Sequence, residues 1–495
     1  MEETIAVLNY LSIVFFLFII IFFIIYYLIK PQYRYIAIFM GSYIFYGYAN
    51  IKMLFVLAFI TLISYMGGIM LEKFGGGYRR TAIYVISFAL EIVILVVFKY
   101  TGFILNNVSD LLNRVFGNTF SPDWDIVLPI GLSFIIFQSI NYLSEVYRDK
   151  VKAEKNIIRY AAFVAFFPTV LSGPIQKARN LLPQIYNPQA FDPEQAKKGT
   201  LLFVWGSFEK IMVTNKLSAI YLSIFSNYSN KSSAELLIGA VCFSLYIYAD
   251  FSSYSDIARG IAKIMGIDVG KNFNNPYLSQ STSEFWRRWH ISLNDWFIEN
   301  IYIPLGGNRK GVVRKYINVF IVFFVSGLWH GANWHFVAWG VVNGLVVIIG
   351  QILKPLKKRI YKKLNIDENV ESIVFIRRFI VFFLITFTWV FFSSGVMDSL
   401  RILKQILRFN YLSIFNPELL KIGGTAEATF ITFVATIFFC WVQLKRQDEH
   451  KAFEVYNRQP FFLQCFPVAL LVCVCVFGAC ATDASVDTQF LYFQF

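Results

Sequence analysis

The sequence contains four histidines, and one of them, His330, lies in the middle of a stretch without charged residues. This stretch covers residues 316–353 and is bounded by Lys315 and Lys354. An imidazole with an ordinary pKa near 6.5 is largely neutral at pH 7 and can take the proton of a hydroxyl group. His330 is therefore a candidate general base for a reaction at a hydroxyl. The alternative is a histidine that only forms hydrogen bonds between helices.

The basic residues at both ends of this stretch indicate the depth of His330 in a membrane. Basic residues concentrate on the cytosolic side, so the stretch is predicted to be a helical hairpin that turns near residues 331–333. A rise of about 1.5 Å per residue places His330 roughly 20 Å from Lys315 along the first helix. Ionisable side chains at this depth usually have a function, which favours the catalytic interpretation.

A second histidine, His290, stands in a dense aromatic and charged cluster, FWRRWHISL. Residue types and spacing leave packing and function equally open for it. The run from Glu284 to His290 is typical of an amphipathic helix at the cytosolic interface. Arg287 and Arg288 could bind the phosphates of a cytosolic cofactor. The residues alone favour pairing with Glu284, or the general excess of basic residues in cytosolic segments.

Acidic residues in and beside apolar segments form a further set of candidates. Asp250 and Asp256 flank the hydroxyl-rich segment FSSYS, and buried acids in membrane proteins usually serve a relay or a charged partner. Glu91 stands alone in an apolar run, and the sequence predicts no partner for it. We expect His335 to be structural and His450 to be solvated.

Composition decides the class of protein that must position these side chains. The chain has 495 residues, of which 57% are hydrophobic and 15% charged. Soluble domains carry about 25% charged residues. Uncharged runs such as 4–29 and 53–71 are long enough to cross a membrane as helices, and no strand-like alternation is visible. The net charge of +14 lies mainly at the ends of apolar runs, which argues against nucleic acid as a partner.

We therefore predict an all-α polytopic membrane protein, a single domain over residues 1–495. The predicted crossings are 5–29, 35–50, 53–71, 82–98, 128–145, 200–221, 235–252, 316–330, 334–353, 374–394, 427–444 and 460–481. With both chain ends outside, this list places the basic clusters in the cytosol. Residues 157–172 are predicted to be a re-entrant or interfacial helix. Residues 396–412 are predicted to be an amphipathic helix on the outer surface.

Three segments resemble the signature of membrane-bound O-acyltransferases: DFSSYSDIARGIAKIMG, NFNNPYLSQSTSEFWRRWHISLNDWFIENIYIPLGGNRKG and SGLWHGANWHFVAWG. The resemblance runs in order from about Leu128 to Gly340. It is strongest to the branch that contains alginate and peptidoglycan O-acetyltransferases and the membrane protein of teichoic-acid D-alanylation.

The resemblance implies a ring of about twelve crossings and interfacial helices around a funnel through the membrane. The two functional histidines of the family correspond to His290 and His330. Arg287, Arg288 and Asn294 fall in the same motif and would line the cytosolic entrance for the donor. That donor would be a thioester, either an acyl-CoA such as acetyl-CoA or an acyl carrier protein, with no metal and no permanently bound cofactor.

The C-terminal residues 490–495, FLYFQF, resemble the closing motif of polysaccharide-acylating members. We expect this tail outside the membrane, with Tyr492 carrying or handing on the acyl group. The alternative is an interfacial aromatic anchor.

The resemblance therefore implies transfer of an acyl group, acetyl above all, from a cytosolic thioester to an extracytoplasmic polysaccharide. The expected setting is the bacterial cytoplasmic membrane and its lipid, with a hydrolase-like acyltransferase outside as partner. D-alanyl transfer to teichoic acid is one alternative. A proton-coupled transporter that uses intramembrane His and Asp residues is another.

Overall fold

The computed structural model describes residues 11–117 and 128–480, and the regular structure in these ranges is entirely helical. The α-helices are α1 Ile13–Leu28, α2 Arg34–Ala49, α3 Met53–Lys73, α4 Gly77–Phe116, α5 Leu132–Tyr147, α6 Ile157–Val164, α7 Ala178–Tyr186, α8 Pro193–Phe208, α9 Asn215–Phe225, α10 Ser233–Ile264, α11 Thr282–Arg288, α12 Ile291–Phe297, α13 Val312–His330, α14 Trp334–Lys363, α15 Glu371–Ser393, α16 Val396–Leu407, α17 Ala426–Lys445, α18 Glu449–Asn457 and α19 Phe461–Cys480. Shorter 3-10 or π-helical segments are Pro31–Tyr33, Glu209–Thr214, Tyr228–Asn230, Pro276–Leu278, Ile298–Tyr302, Tyr411–Phe415 and Pro417–Lys421.

Seven of the described helices are long and apolar enough to cross a membrane, namely α3, α4, α10, α13, α14, α15 and α17. The pair α18 and α19 would add an eighth span, with a bend of 119° at the break between them. The chain is thus an all-α polytopic membrane protein, as its sequence predicted. Each of the twelve predicted crossings overlaps a helical segment, while the number of crossings itself stays a prediction.

Helix α4 differs from its predicted extent of 82–98, because it has 40 residues and runs from Gly77 to Phe116. The residues after Phe98 become more polar without leaving the helix, and Asn107 bonds back to the carbonyl oxygen of Phe103 at 2.7 Å. The helix ends only where Gly117 adopts a left-handed conformation, with φ of 66°. Polarity marks the end of an apolar run, whereas backbone conformation marks the end of the helix.

The described residues form two compact units. Residues up to 200 with 258–270 form the first, and 201–257 with those from 271 onward form the second. In the first unit, the carboxylate of Glu91 accepts a hydrogen bond of 2.6 Å from Ser139, which supplies the partner that the sequence did not reveal. The prediction of a single domain over the whole chain stays a prediction.

The predicted hairpin around His330 is present in the second unit. Helix α13 ends at His330, and the side chain of Asn333 accepts a hydrogen bond of 3.3 Å from the backbone of His335 and so starts α14. The two helices contact each other through glycines. A Cβ atom on Gly340 would lie 2.5 Å from the carbonyl oxygen of Phe323, and the Cα atoms of Gly327 and Gly340 also approach each other closely.

Two shorter helices lie within segments predicted to be helical, while their predicted placement at the membrane stays a prediction. Helix α6 has eight residues, so at about 1.5 Å per residue it is too short to cross a membrane. Helix α16 is amphipathic: Ser399, Ile402 and Ile406 are buried, whereas Arg401 is exposed. It ends at Leu407 rather than residue 412.

Candidate active site

His330 is enclosed by aromatic rings at the last residue of α13. Its side chain is buried, at 4% exposure. The imidazole lies 4.9 Å from the rings of both Trp329 and Trp339 and 5.2 Å from that of Phe392, measured between ring centroids. Because α13 is continuous from Val312, the rise of the helix does separate His330 from Lys315 by roughly 22 Å.

His290 lies at a break between two short helices. Helix α11 begins where the side chain of Ser281 accepts a hydrogen bond of 3.2 Å from the backbone of Glu284, and it ends at Arg288. His290 then adopts a left-handed conformation, with φ of 44° and ψ of 56°, before α12 begins at Ile291. A left-handed backbone is uncommon for a residue other than glycine and often marks a functional position.

The predicted amphipathic helix through His290 is therefore wrong at its C-terminal end. The backbone N–H of Ile291 donates to the carbonyl oxygen of Asn272 at 2.9 Å, so the chain leaves the helical path after Arg288. His290 is only 2% exposed, and it is more deeply enclosed than the sequence indicated.

The ring of Trp329 contacts both histidines. Its centroid is 4.9 Å from that of His330 and 6.1 Å from that of His290. On its other side, His290 meets the ring of Phe251, at 4.5 Å and nearly perpendicular. The two candidate histidines, 40 positions apart in the sequence, thus belong to one buried site.

Aromatic rings from α11, α13, α14 and α15, together with that of Trp289 just after α11, surround this site. We call the set the aromatic cluster, and it consists of Trp286, Trp289, Trp329, Trp339, Trp389 and Phe392. Trp339 and Trp389 stack at 5.4 Å, and Trp286 meets both rings edge-on at 5.5 and 5.9 Å. Large rings packed this closely leave little room for water, which strengthens electrostatic interactions with any group bound beside the histidines.

Burial keeps the imidazole of His290 neutral, because it lowers the pKa of this group from 6.5 to about 3. Protonating such a group at pH 7 would cost about 5 kcal/mol, at about 1.4 kcal/mol for each pH unit. A neutral imidazole has one nitrogen that donates and one that accepts a hydrogen bond. The neutral imidazole of His290 can therefore hold a bound group through hydrogen bonds.

The lowered pKa of His290 predicts a loss of stability in acid. Below pH 6.5 the unfolded chain takes up a proton at this residue while the folded chain does not, so stability falls as pH falls. We expect His290 to contribute a loss of about 2 kcal/mol in the free energy of unfolding at pH 5 relative to pH 7. The His290→Asn variant should lack this contribution, since asparagine tolerates the left-handed backbone and does not titrate.

Unfolding of both proteins in detergent at pH 7 and pH 5 measures the difference. Groups that titrate identically in the two proteins cancel in this comparison. An equal loss in the wild type and in His290→Asn would contradict the prediction.

The other predicted site residues on α11 and α12 are Arg287, Arg288 and Asn294, and each has different contacts. Arg288 pairs with Glu284 at 2.7 Å and also donates to the carbonyl oxygen of Asn274 at 3.2 Å, so the predicted pairing with Glu284 is present. Arg287 is exposed and makes no ion pair within the described part of the chain. Asn294 is half-buried on α12, and its backbone N–H donates to the carbonyl oxygen of His290 at 3.0 Å.

Asp250 and Asp256 of α10 have basic partners that the sequence did not reveal. Lys210 and Asp250 form an ion pair of 2.7 Å, and Arg446 reaches Asp256 at 2.7 Å. Glu209 accepts hydrogen bonds of 2.8 Å from Ser252 and 2.7 Å from Gln443. These partners lie at least 40 positions from the acids they contact, and no local pattern signals them.

Tyr492 and the tail 490–495 lie outside the described residues. Among the described residues, no group of three or more His, Cys, Asp or Glu side chains could hold a metal ion.

His335, expected to be structural, places its Nδ1 atom 3.2 Å from the carbonyl oxygen of Phe391.

Comparison with known proteins identifies a matching family and several relatives. Residues 82–394 match the model of the MBOAT, or membrane-bound O-acyltransferase, family. The "Probable alginate O-acetylase AlgI" of Pseudomonas putida is 31% identical over 430 residues, covering 86% of each chain. The "Peptidoglycan O-acetyltransferase" of Helicobacter pylori is 28% identical, covering 78% of this chain and 76% of its own. The "Teichoic acid D-alanyltransferase" of Bacillus subtilis is 25% identical, covering 53% of this chain and 69% of its own.

Proposed function

Because the chain belongs to the membrane-bound O-acyltransferase family, we propose that it moves an acetyl group from a cytosolic thioester to a cell-envelope polysaccharide outside the membrane. The observation that carries the proposal is the buried site in which the ring of Trp329 contacts both His290 and His330. Both histidines lie within the residues that match the family. The family consists of enzymes, so the alternative of a proton-coupled transporter is set aside.

Extent of similarity favours acetyl over D-alanyl transfer. The relative named for alginate O-acetylation covers 86% of this chain, and the one named for teichoic acid D-alanylation covers 53%. Acetyl is the smaller and uncharged acyl group, and it suits a site lined by closely packed aromatic rings.

The transfer requires a base and a hydroxyl. In the proposed reaction His330 takes the proton of the attacking hydroxyl, and the hydroxyl oxygen forms a bond to the thioester carbonyl. The carbon–sulfur bond then breaks, the acyl group stays on the oxygen, and the thiolate leaves and is protonated. His290, held neutral by burial, would position the thioester by a hydrogen bond to it.

The cytosolic mouth is the proposed binding region for the donor, with Arg287, Arg288 and Asn294 along it. Coenzyme A carries phosphates, and guanidinium groups bind phosphates with charge-assisted hydrogen bonds. Arg287 is exposed and so available for such a contact, whereas Arg288 already holds Glu284. Acetyl-CoA is the proposed donor, and an acyl carrier protein is the other candidate.

We expect Arg287→Ala to raise the donor concentration needed for half-maximal rate by about three- to tenfold, because it removes one charge-assisted contact at an exposed site. The maximal rate should change less than twofold. Initial rates of acyl transfer at varied donor concentration, with the purified protein in lipid vesicles, measure both quantities. The control is Lys363→Ala, which removes an exposed charge at the end of α14. If Arg287→Ala and the control need the same donor concentration for half-maximal rate, Arg287 has no role in donor binding.

The acceptor lies beyond the membrane, so the proposal includes a partner there. The expected partner is a hydrolase-like acyltransferase that completes the transfer to the polysaccharide, and the expected setting is the bacterial cytoplasmic membrane. Tyr492 is the proposed hydroxyl that receives the acyl group first.

The proposal is tested by reconstituting the purified chain in vesicles and supplying labelled acetyl-CoA or a labelled D-alanyl carrier protein in separate experiments. We expect cleavage of acetyl-CoA and transfer of label to the opposite side of the bilayer. If label is transferred from the D-alanyl donor and not from acetyl-CoA, D-alanyl replaces acetyl as the proposed acyl group. If the protein shows a normal unfolding transition and still cleaves neither thioester, the proposed class of thioester donors is overturned.

A further inference from the structure

Asn272 connects the turn at His290 to a neighbouring helix through three hydrogen bonds. Its carbonyl oxygen accepts from the backbone N–H of Ile291 at 2.9 Å. Its side-chain oxygen accepts from the hydroxyl of Ser292 at 2.6 Å, and its side-chain nitrogen donates to the hydroxyl of Ser255 on α10 at 3.3 Å. Asn272 is 1% exposed, so these bonds are shielded from water.

The chain next to Asn272 holds the other side of the same turn. The backbone N–H of Asn274 donates to the carbonyl oxygen of Arg288 at 3.0 Å. The guanidinium of Arg288 donates in return to the carbonyl oxygen of Asn274 at 3.2 Å. Residues 272–274 therefore bond to both Arg288 and Ile291, two positions before and one position after His290.

This arrangement accounts for the backbone of His290. A histidine with φ of 44° is in a conformation that costs free energy relative to a helical or extended one. Such a conformation persists when the surrounding bonds determine it. Without the bonds from 272–274, α11 could continue through residues 289–291, and the imidazole would leave its contacts with Phe251 and Trp329.

We propose that Asn272 is a positioning residue, which fixes the imidazole of His290 for acyl transfer by holding the left-handed turn against α10. This inference rests on the proposed function of His290. Asn272 does not touch the reacting groups in this proposal and acts only through His290. Its side chain suits the role because an amide both donates and accepts, whereas aspartate or alanine would each lose at least one of the two contacts.

Activity of the full-length protein in vesicles gives the first test. We expect Asn272→Ala to lower kcat by about tenfold or more, since a displaced catalytic group costs rate steeply. The KM for acetyl-CoA should change less than twofold. Asn272→Asp keeps an acceptor for Ser292 and loses the donor to Ser255, so it should retain an intermediate kcat. The matched control is Asn416→Ala, which removes an amide that caps the segment Pro417–Lys421, and it should keep the wild-type kcat.

Stability gives a second readout that does not depend on activity. With Asn272 present, glycine at position 290 should be more stable than alanine, because only glycine adopts positive φ without cost. The melting temperature of His290→Gly should therefore exceed that of His290→Ala. In the Asn272→Ala background this advantage should shrink or reverse, since the turn is released.

The outcomes separate this inference from the proposed function. Full kcat in Asn272→Ala, with activity lost in His290→Ala, overturns the positioning role alone. Full kcat in His290→Ala overturns both and traces the failure to His290. A lowered kcat in Asn272→Ala with an unchanged advantage of glycine over alanine at position 290 means that Asn272 acts elsewhere, and this also overturns the inference.

Discussion

We expect His330→Ala to lower acyl transfer by about a hundredfold or more, because the variant lacks the proposed base that takes the proton of the attacking hydroxyl. Two features of the molecule support this prediction. His330 ends a helix that is continuous from Val312, as expected if this ionisable group lies at the predicted depth in the membrane. Its ring lies against Trp329, which also contacts His290.

Protein abundance and stability must be measured with the activity of His330→Ala, since a cavity beside Trp339 could also destabilise the fold. His330→Gln fills much of that space without providing an effective base, and it should be as inactive as alanine. His450→Ala removes an exposed histidine and should remain fully active. Transfer by both His330 variants at more than half the wild-type rate would remove His330 from the reaction.

The second large effect is expected for Tyr492→Phe, which keeps the ring and removes the hydroxyl. If Tyr492 receives the acyl group before the partner takes it, the variant should lose transfer to the polysaccharide completely. A phenol has a pKa near 10, lower than that of an aliphatic alcohol, so its acyl ester is activated for the next transfer. Mass spectrometry of the C-terminal peptide should detect an acyl adduct in the wild type and none in the variant.

The alternative for this tail is an aromatic anchor at the membrane interface, and an anchor should tolerate the loss of one hydroxyl. Tyr456→Phe is the matched control, since it removes a hydroxyl that donates to the carbonyl oxygen of Gln464 at 2.8 Å. We expect this control to keep its activity. Wild-type transfer in Tyr492→Phe would support the anchor and exclude the relay.

Much of the fold follows from hydropathy and charge, which are local properties of the sequence. The hairpin that carries His330 is the clearest case. Lys315 and Lys354 placed both its ends on one side, and the residues after His330 break the helix, with Asn333 capping the next one. Helix ends were harder to predict, and α4 shows why: a helix continues through polar residues until a residue such as Gly117 ends it.

Sequence patterns predicted the composition of the candidate site but not its geometry. The cluster FWRRWH has the pattern of an amphipathic helix, but the helix ends at Arg288, where residues 272–274 bond to the chain on both sides of His290. Similarly, Lys210 and Asp250 are 40 positions apart and meet only after folding. Contacts of this kind depend on tertiary structure, and a single sequence holds no local signal for them.

The glycine contact between α13 and α14 limits how the enzyme can open. Because the backbones meet at Gly327 and Gly340 with no side chains between them, the two helices are closely packed at this point and have little room to shift against each other. We therefore expect α13 and α14 to move as one rigid body, which keeps His330 at a constant distance from Trp339. Any motion that admits a donor or releases a product must then come from the other walls of the site, formed by α15 and by the turn at His290.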